Sequence, residues 1–350
     1  MIKKLLLMHD HGQFQAHKMK RIFLFTTLFL SFFVAQGTFA AEPEFPPPPE
    51  RVSADATNRQ NFSIHVSNGD WNGADPKEIE TLLNAIAAEM LSHFPERQLA
   101  PIEVFPTEHR PVVLYQKGPA NQYQVYLAAK GSHWGEYIYE FSHELFHILA
   151  NYEYHALHGG AQHQWFEEMM CEAASLYNLK RMSLAWKTSD LRTAWASYAP
   201  TLDKFTQRAL NELHRQLPEN TSLTQWFHEN ESALLSNPYM RVKNEMVAML
   251  FLPLLEQNRD WSAVGFLNPP INQRAMRFYD YLAGWYRNTP AANRNFVVQA
   301  MTLFEFQIPV TPTHASLTPQ HQTETAAPFN AILDADTSAR EAGVAGSTRR

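Results

Sequence analysis

Cysteine is almost missing from this chain: Cys171 stands alone in 350 residues. No intramolecular disulfide can form, so stability must come from the core. Positive charge is also in short supply, with 29 Lys and Arg against 35 Asp and Glu for a net charge of -6. The basic residues do not gather into a stripe, which excludes nucleic acid and other anionic polymers as expected partners. Long apolar runs are absent as well. The longest, Ile22 to Val34, is too short for a comfortable membrane span. What remains, 45% apolar and 18% charged residues, is the composition of a protein with a substantial core, not of a disordered polymer or a multi-span membrane protein.

That apolar run has a distinct setting. Lys20 and Arg21 precede it, and Thr38-Phe39-Ala40 places small residues at the -3 and -1 positions of a cut before Ala41. Basic, apolar and small segments in this order are expected to form a secretory signal peptide over residues 1–40, with Met19 as the true start. The protein is therefore expected to be exported, periplasmic or secreted, with no stable transmembrane segment after signal removal. No cysteine adjoins the cut, which argues against a lipidated N-terminus. Residues 41–60, with Pro43 and Pro46 to Pro49, read as a stiff linker. At the far end, 309–350 is rich in Thr, Ala, Pro and Ser, and is expected to be a disordered tail.

The intervening 61–308 reads as one unit of α+β class, with an α/β lobe over 61–150 and a helical lobe over 151–308. Asp75-Pro76-Lys77-Glu78 has the form of a helix start, followed by Ile79, Leu82, Leu83, Ile86, Met90 and Phe94 at helical spacing. Short apolar segments at 102–105 and 112–115 read as strands, and the alternation through Tyr123 to Ala129 predicts a strand with one drier face. Beyond 135 the pattern predicts helices near 135–154, 163–183, 201–216, 222–234, 238–256, 271–287 and 290–306. The last is expected to be capped by Thr289, with Pro290 in its first turn.

His143-Glu144-Leu145-Phe146-His147 lies inside the first of these helices. A separation of four puts both histidines on one helix face, where their ring nitrogens can converge on a metal ion. Glu144 is one residue round the helix. It can reach an open coordination position without ligating, as a base acting on water must. A third ligand is needed. The extended HExxHxxGxxH pattern fails, because Ala150 and Glu153 stand where glycine and histidine are required. His155, His158 and His163 are nearby in sequence, and Trp165-Phe166-Glu167-Glu168-Met169-Met170-Cys171-Glu172 offers carboxylates from a second helix. Glu168 is favoured over Glu167 because Glu172 shares its face. Cys171 reads as a small buried apolar residue, not as a ligand or nucleophile, and His133-Trp134 as a helix entrance. Tyr152, Tyr154, His155, His158, His163, Tyr239, Tyr279 and Tyr286 are candidate oxyanion donors between which the sequence does not choose. Asn220-Thr221-Ser222 reads first as a surface or cap sequence, ahead of a modification site.

The HExxH segment followed by Trp165-Phe-Glu-Glu168 resembles the gluzincin metallopeptidases, the superfamily of thermolysin and related aminopeptidases. The resemblance implies a zincin-like fold. It also implies Zn2+ held by His143, His147 and Glu168, Glu144 as the catalytic residue that activates water, and Glu172 as the acid orienting a ligating histidine. Peptide or protein substrates would align along an edge strand, which Tyr123 to Ala129 resembles. The Gly-x-Met-Glu-Asn segment of many aminopeptidases is absent, which favours an endopeptidase over an aminopeptidase. A noncatalytic zincin-like binding or scaffold protein is the alternative of a different class.

Overall fold

The computed structural model describes residues 62–153, 163–188, 195–268 and 276–308. The expected leader, linker and tail lie outside the described residues. Four strands, β1 (Ile64–Val66), β2 (Ile102–Pro106), β3 (Val112–Val113) and β4 (Tyr123–Leu127), form one mixed sheet in the order β1-β2-β4-β3. β1, β2 and β4 run parallel, and β3 is antiparallel to β4. The short β1 has no counterpart in the sequence reading, since three residues with one exposed histidine between Ile64 and Val66 carry too little periodicity to find.

Helix α1 (Pro76–Leu91) makes the crossover from β1 to β2. Asp75 caps it by accepting from the Lys77 amide at 2.9 Å, and Ile79, Leu82, Leu83, Ile86 and Met90 are buried as their spacing predicts. β4 shows the expected alternation, with Tyr123, Val125 and Leu127 buried and Gln124 and Tyr126 less so. It is not an edge strand, however. β4 is flanked by β2 and β3, and the edge beside it is β3. Apolar alternation reports a two-faced strand but says nothing about how many neighbours that strand has.

After the sheet the described chain is helical: α2 (Trp134–Leu149), α3 (Gln164–Thr188), α4 (Ala199–Leu210), α5 (Leu223–Ser236), α6 (Arg241–Gln257), α7 (Phe278–Asn288) and α8 (Arg294–Leu303). The fold is thus α+β, a small mixed sheet followed by a mainly helical region. No helix among the described residues is long and apolar enough to cross a membrane. His133 is the residue before α2, as expected of a helix entrance, and Gly135 in the first turn lets the Phe205 ring approach to where a Cβ would be 2.9 Å away. Ser222 caps α5 by accepting from the Gln225 amide, so the Asn220-Thr221-Ser222 segment does serve as a helix entrance. The expected cap at Thr289 is corrected. Thr289 closes α7, and α8 begins only after a short 3-10 turn over Ala291–Asn293. Thr289 instead turns its hydroxyl back to the Trp285 carbonyl at 2.8 Å, a local bond that competes with capping the next helix.

The core runs through α2 and α3. Every residue of α2 except Glu136 and Glu140 is buried, and residues 163–179 are buried without a break. A helix buried all round lies inside the molecule. Polar groups on such helices must find partners there or remain costly.

Candidate metal centre

Two crossing facts build the site: α2 carries both histidines on one face, and α3 turns Gln164, Glu167, Glu168, Cys171 and Glu172 to meet them. α2 ends at Leu149. Asn151 then adopts a left-handed backbone with φ of 62° and donates its side-chain amide to the Leu267 carbonyl at 2.7 Å. That conformation stops a helix.

The rings of His143 and His147 are 5.0 Å apart, centre to centre. Both face Glu168. His143 Nε2 is 3.3 Å from Glu168 Oε2, and His147 Nε2 is 3.6 Å from Glu168 Oε1. Gln164, one turn earlier on α3, donates to Glu168 Oε1 at 3.1 Å. A carboxylate facing two imidazole nitrogens is favourable only with positive charge between them, supplied by ring protons or by a metal ion.

The outer ring nitrogens are backed by carboxylates. His147 Nδ1 is 2.7 Å from Glu167 Oε1; the other Glu167 oxygen accepts from Asn268 Nδ2 at 2.6 Å, and Asn268 in turn accepts from the Tyr281 hydroxyl at 2.7 Å. His143 Nδ1 lies 3.8 Å from Glu172 Oε1. Glu172 also accepts from the Tyr139 hydroxyl, on which Arg215 Nη2 donates at 3.4 Å. An outer carboxylate fixes the tautomer of an imidazole and makes its inner nitrogen a better ligand. Glu172, expected to orient a ligating histidine, lies beside His143 Nδ1 but beyond hydrogen-bond distance. Sequence reading treated Glu167 as a rival ligand, whereas Glu167 stands on the outer side of His147.

Glu144 is buried, and one of its oxygens accepts from the Val113 amide at 2.7 Å. The neighbouring Leu114 amide points inward to the Gln124 carbonyl of β4. Amides alternate in direction along a strand, so the Val113 amide lies on the open edge of β3. Glu144 is therefore docked against that edge.

Burial dominates the proton affinities here. It raises Glu144 above the usual carboxylate range, with Glu168 adding to the rise and both histidines opposing it. Burial alone would lower His147, but the charges of Cys171 and Glu168 and the bond to Glu167 lift it well above an ordinary imidazole. His143 is likewise raised against its burial by the Glu168 bond and by Glu144 and Glu172. Burial and the Glu245 charge raise Glu172. Four carboxylates within one dry cluster demand cations.

Cys171 is where sequence reading fell short. It is fully buried as expected, yet it offers its sulfur beside both imidazoles: one donor atom each from His143, His147 and Cys171 lie within 4.8 Å of one another. The missed signal was helical spacing, because Cys171 stands four residues after Glu167 and three after Glu168. His163, considered as a third ligand, sits elsewhere; its Nε2 is 2.7 Å from the Met276 carbonyl and its ring packs on Phe278 and Tyr281. His155, His158 and Tyr154 lie outside the described residues. The Tyr152 hydroxyl is engaged by the Leu114 carbonyl. The Tyr239 hydroxyl is buried and has no hydrogen-bond partner among the described residues.

A second group, Glu212, His214 and Glu245, also brings its donor atoms together. Glu245 there is already paired with Arg215 at 3.3 Å and with Arg241 and His214. Two guanidinium groups on one carboxylate oppose a metal cation, so this is an ion-pair network. Among the described residues, the buried His143, His147 and Cys171 cluster with its surrounding carboxylates could coordinate a metal ion. No protein family, no curated protein and no solved structure matches this chain.

Proposed function

We propose that this protein is a zinc-dependent hydrolase of peptide bonds that cuts within the peptide. One observation carries the reading: the two imidazoles of a His-Glu-x-x-His helix turn their Nε2 atoms to Glu168 while Glu144 sits between them and an open strand edge. The donors fit the metal. His143, His147 and Glu168 would hold it, with Glu167 orienting the His147 imidazole and Glu172 beside that of His143, and a divalent cation would take the place of the ring protons that face Glu168. Bound there, zinc supplies Lewis acidity that polarises a carbonyl and acidifies water.

The chain's own groups account for the rest. Glu144 takes a proton from the attacking water and returns it to the leaving amine; burial raises its proton affinity, which favours the first of these transfers. The Val113 amide holds the other end of that carboxylate in place. An extended peptide would lie along β3, where it would have to take the Val113 amide from Glu144, and β3 replaces β4 as the aligning strand. The reading includes export, supported by the order of segments in residues 1–40.

Wild-type protein and Glu144→Gln, incubated with a diverse peptide mixture, should differ in new peptide ends mapped by mass spectrometry. Cuts inside peptides made only by wild type are expected, with equal metal content in both proteins. Purely terminal trimming would point to an aminopeptidase and reject internal cleavage.

A noncatalytic metal-binding protein is the second reading. The burial of the cluster favours it, since His143, Glu144, His147 and Glu168 are only 1%, 2%, 4% and 4% exposed. Identical peptide patterns from wild type and Glu144→Gln, with metal bound to both, would establish it in place of hydrolysis.

A further inference from the structure

Cys171 is the one donor in this cluster that the hydrolase reading leaves without a task. It is fully buried on α3, one turn from both Glu167 and Glu168, and its sulfur shares a 4.8 Å neighbourhood with a nitrogen from each of His143 and His147. A tetrahedral ion with zinc-like bond lengths of about 2.0 Å to nitrogen and 2.3 Å to sulfur separates its donors by roughly 3.3–3.5 Å. Small rotations about side-chain bonds cover the remaining distance.

Apolar burial alone does not require this placement. On the turns before it, the residues sharing its face of α3, Gln164, Glu167 and Glu168, are all polar and are all directed at the imidazoles or at each other. A sulfur set among two imidazoles and the carboxylates of Glu167 and Glu168 is in the company of ligands. We infer that Cys171 binds, as a thiolate, the same metal ion that His143 and His147 hold. This rests on the metal-binding part of the proposed function; with Glu168 also bound, a tetrahedral ion has four protein ligands and no open position for water, so the inference favours the noncatalytic reading.

The chemistry is a simple exchange: the sulfur–hydrogen bond breaks, a sulfur–metal bond forms, and the proton leaves to solvent buffer. A thiolate with two imidazoles makes a borderline-soft donor set. It selects zinc or cobalt over magnesium, calcium and manganese, which take oxygen ligands.

Cobalt reports the ligand directly. The full chain, stripped of metal and loaded with Co2+, should show a near-ultraviolet thiolate-to-cobalt charge-transfer band in addition to its visible absorption. Cys171→Ser, nearly the same size, should lose that band while keeping its far-ultraviolet circular dichroism, and should bind Co2+ and Zn2+ about tenfold or more weakly in chelator competition. Stoichiometric cobalt with visible absorption but no thiolate band in wild type would overturn the assignment and leave the histidine site standing. Failure of wild type to bind cobalt or zinc at all would remove the metal reading and this ligand together. The wild-type spectrum decides the matter even if the variant does not fold.

Discussion

His147 presents its Nδ1 to Glu167 at 2.7 Å while its Nε2 faces Glu168, so adjacent residues of one helix engage opposite sides of one ring. Neighbours on a helix point about 100° apart. An imidazole lying between two such directions can take one carboxylate as its orienting acceptor and meet the other on its ligand side. Asn268 and Tyr281 extend the outer chain into the helical region, which ties the tautomer of His147 to the packing of α7.

Glu167→Ala should therefore weaken zinc binding by about 10- to 100-fold, as the loss of an outer carboxylate does in metal sites generally. Glu167→Gln keeps an acceptor for His147 and should lose less. Competition with a chromogenic chelator measures both, and equal affinities for all three proteins would show that Glu167 does not orient the ligand.

Tyr239 provides a hydroxyl that is buried without a partner among the described residues. Its acidity is suppressed by burial and by the charges of Glu168 and Glu167. An unengaged donor in the field of the metal cluster suits stabilisation of negative charge in a transition state. If the protein is the proposed hydrolase, Tyr239→Phe is expected to lower kcat by roughly 100-fold or more with little change in KM or metal content. A change confined to KM would assign the hydroxyl to substrate binding.

Glu140 gives a prediction about stability. Burial, with repulsion from Glu136 and Glu144, raises its carboxyl to about 8, although its oxygen accepts the Ala128 and Ala129 amides at 2.8 and 2.9 Å. The folded value exceeds the ordinary carboxyl value of 4.5 that the unfolded chain has. Below the lower value both states hold the proton; between the two the folded state alone retains it, so this residue's contribution to stability declines as pH rises from about 4.5 to about 8. The slope for one proton is at most about 1.4 kcal/mol per pH unit. Glu140→Gln should remove that decline from urea-unfolding curves taken across the window. A pH-independent difference between the two proteins would contradict it.

The proposed export makes a separate prediction. Protein recovered from the cell envelope or medium should begin at Ala41 when its N-terminus is sequenced, and substitution of Ala40 by a bulky residue should leave the leader attached. Recovery of an intact leader on the folded wild-type protein would argue against cleavage.

Sequence by itself determined the parts of this protein that depend on local periodicity. His143 and His147 share a face because any helix puts residues four apart together. The same rule made α1, α2, α3 and the alternation of β4 legible, and the Trp165 to Glu172 stretch could be recognised as the partner of the histidine helix before any contact was known. Tertiary structure decided everything that depends on how separated elements meet. Only the pairing of β3 with β4 made β3 the edge and brought the Val113 amide to Glu144. Only the rotation of α3 against α2 put Glu168 on the inner nitrogens, Glu167 on the outer one, and Cys171 among them. Periodicity specifies which residues share a face of one element; the azimuth at which two faces pack is set by side chains of the whole core, far apart along the chain.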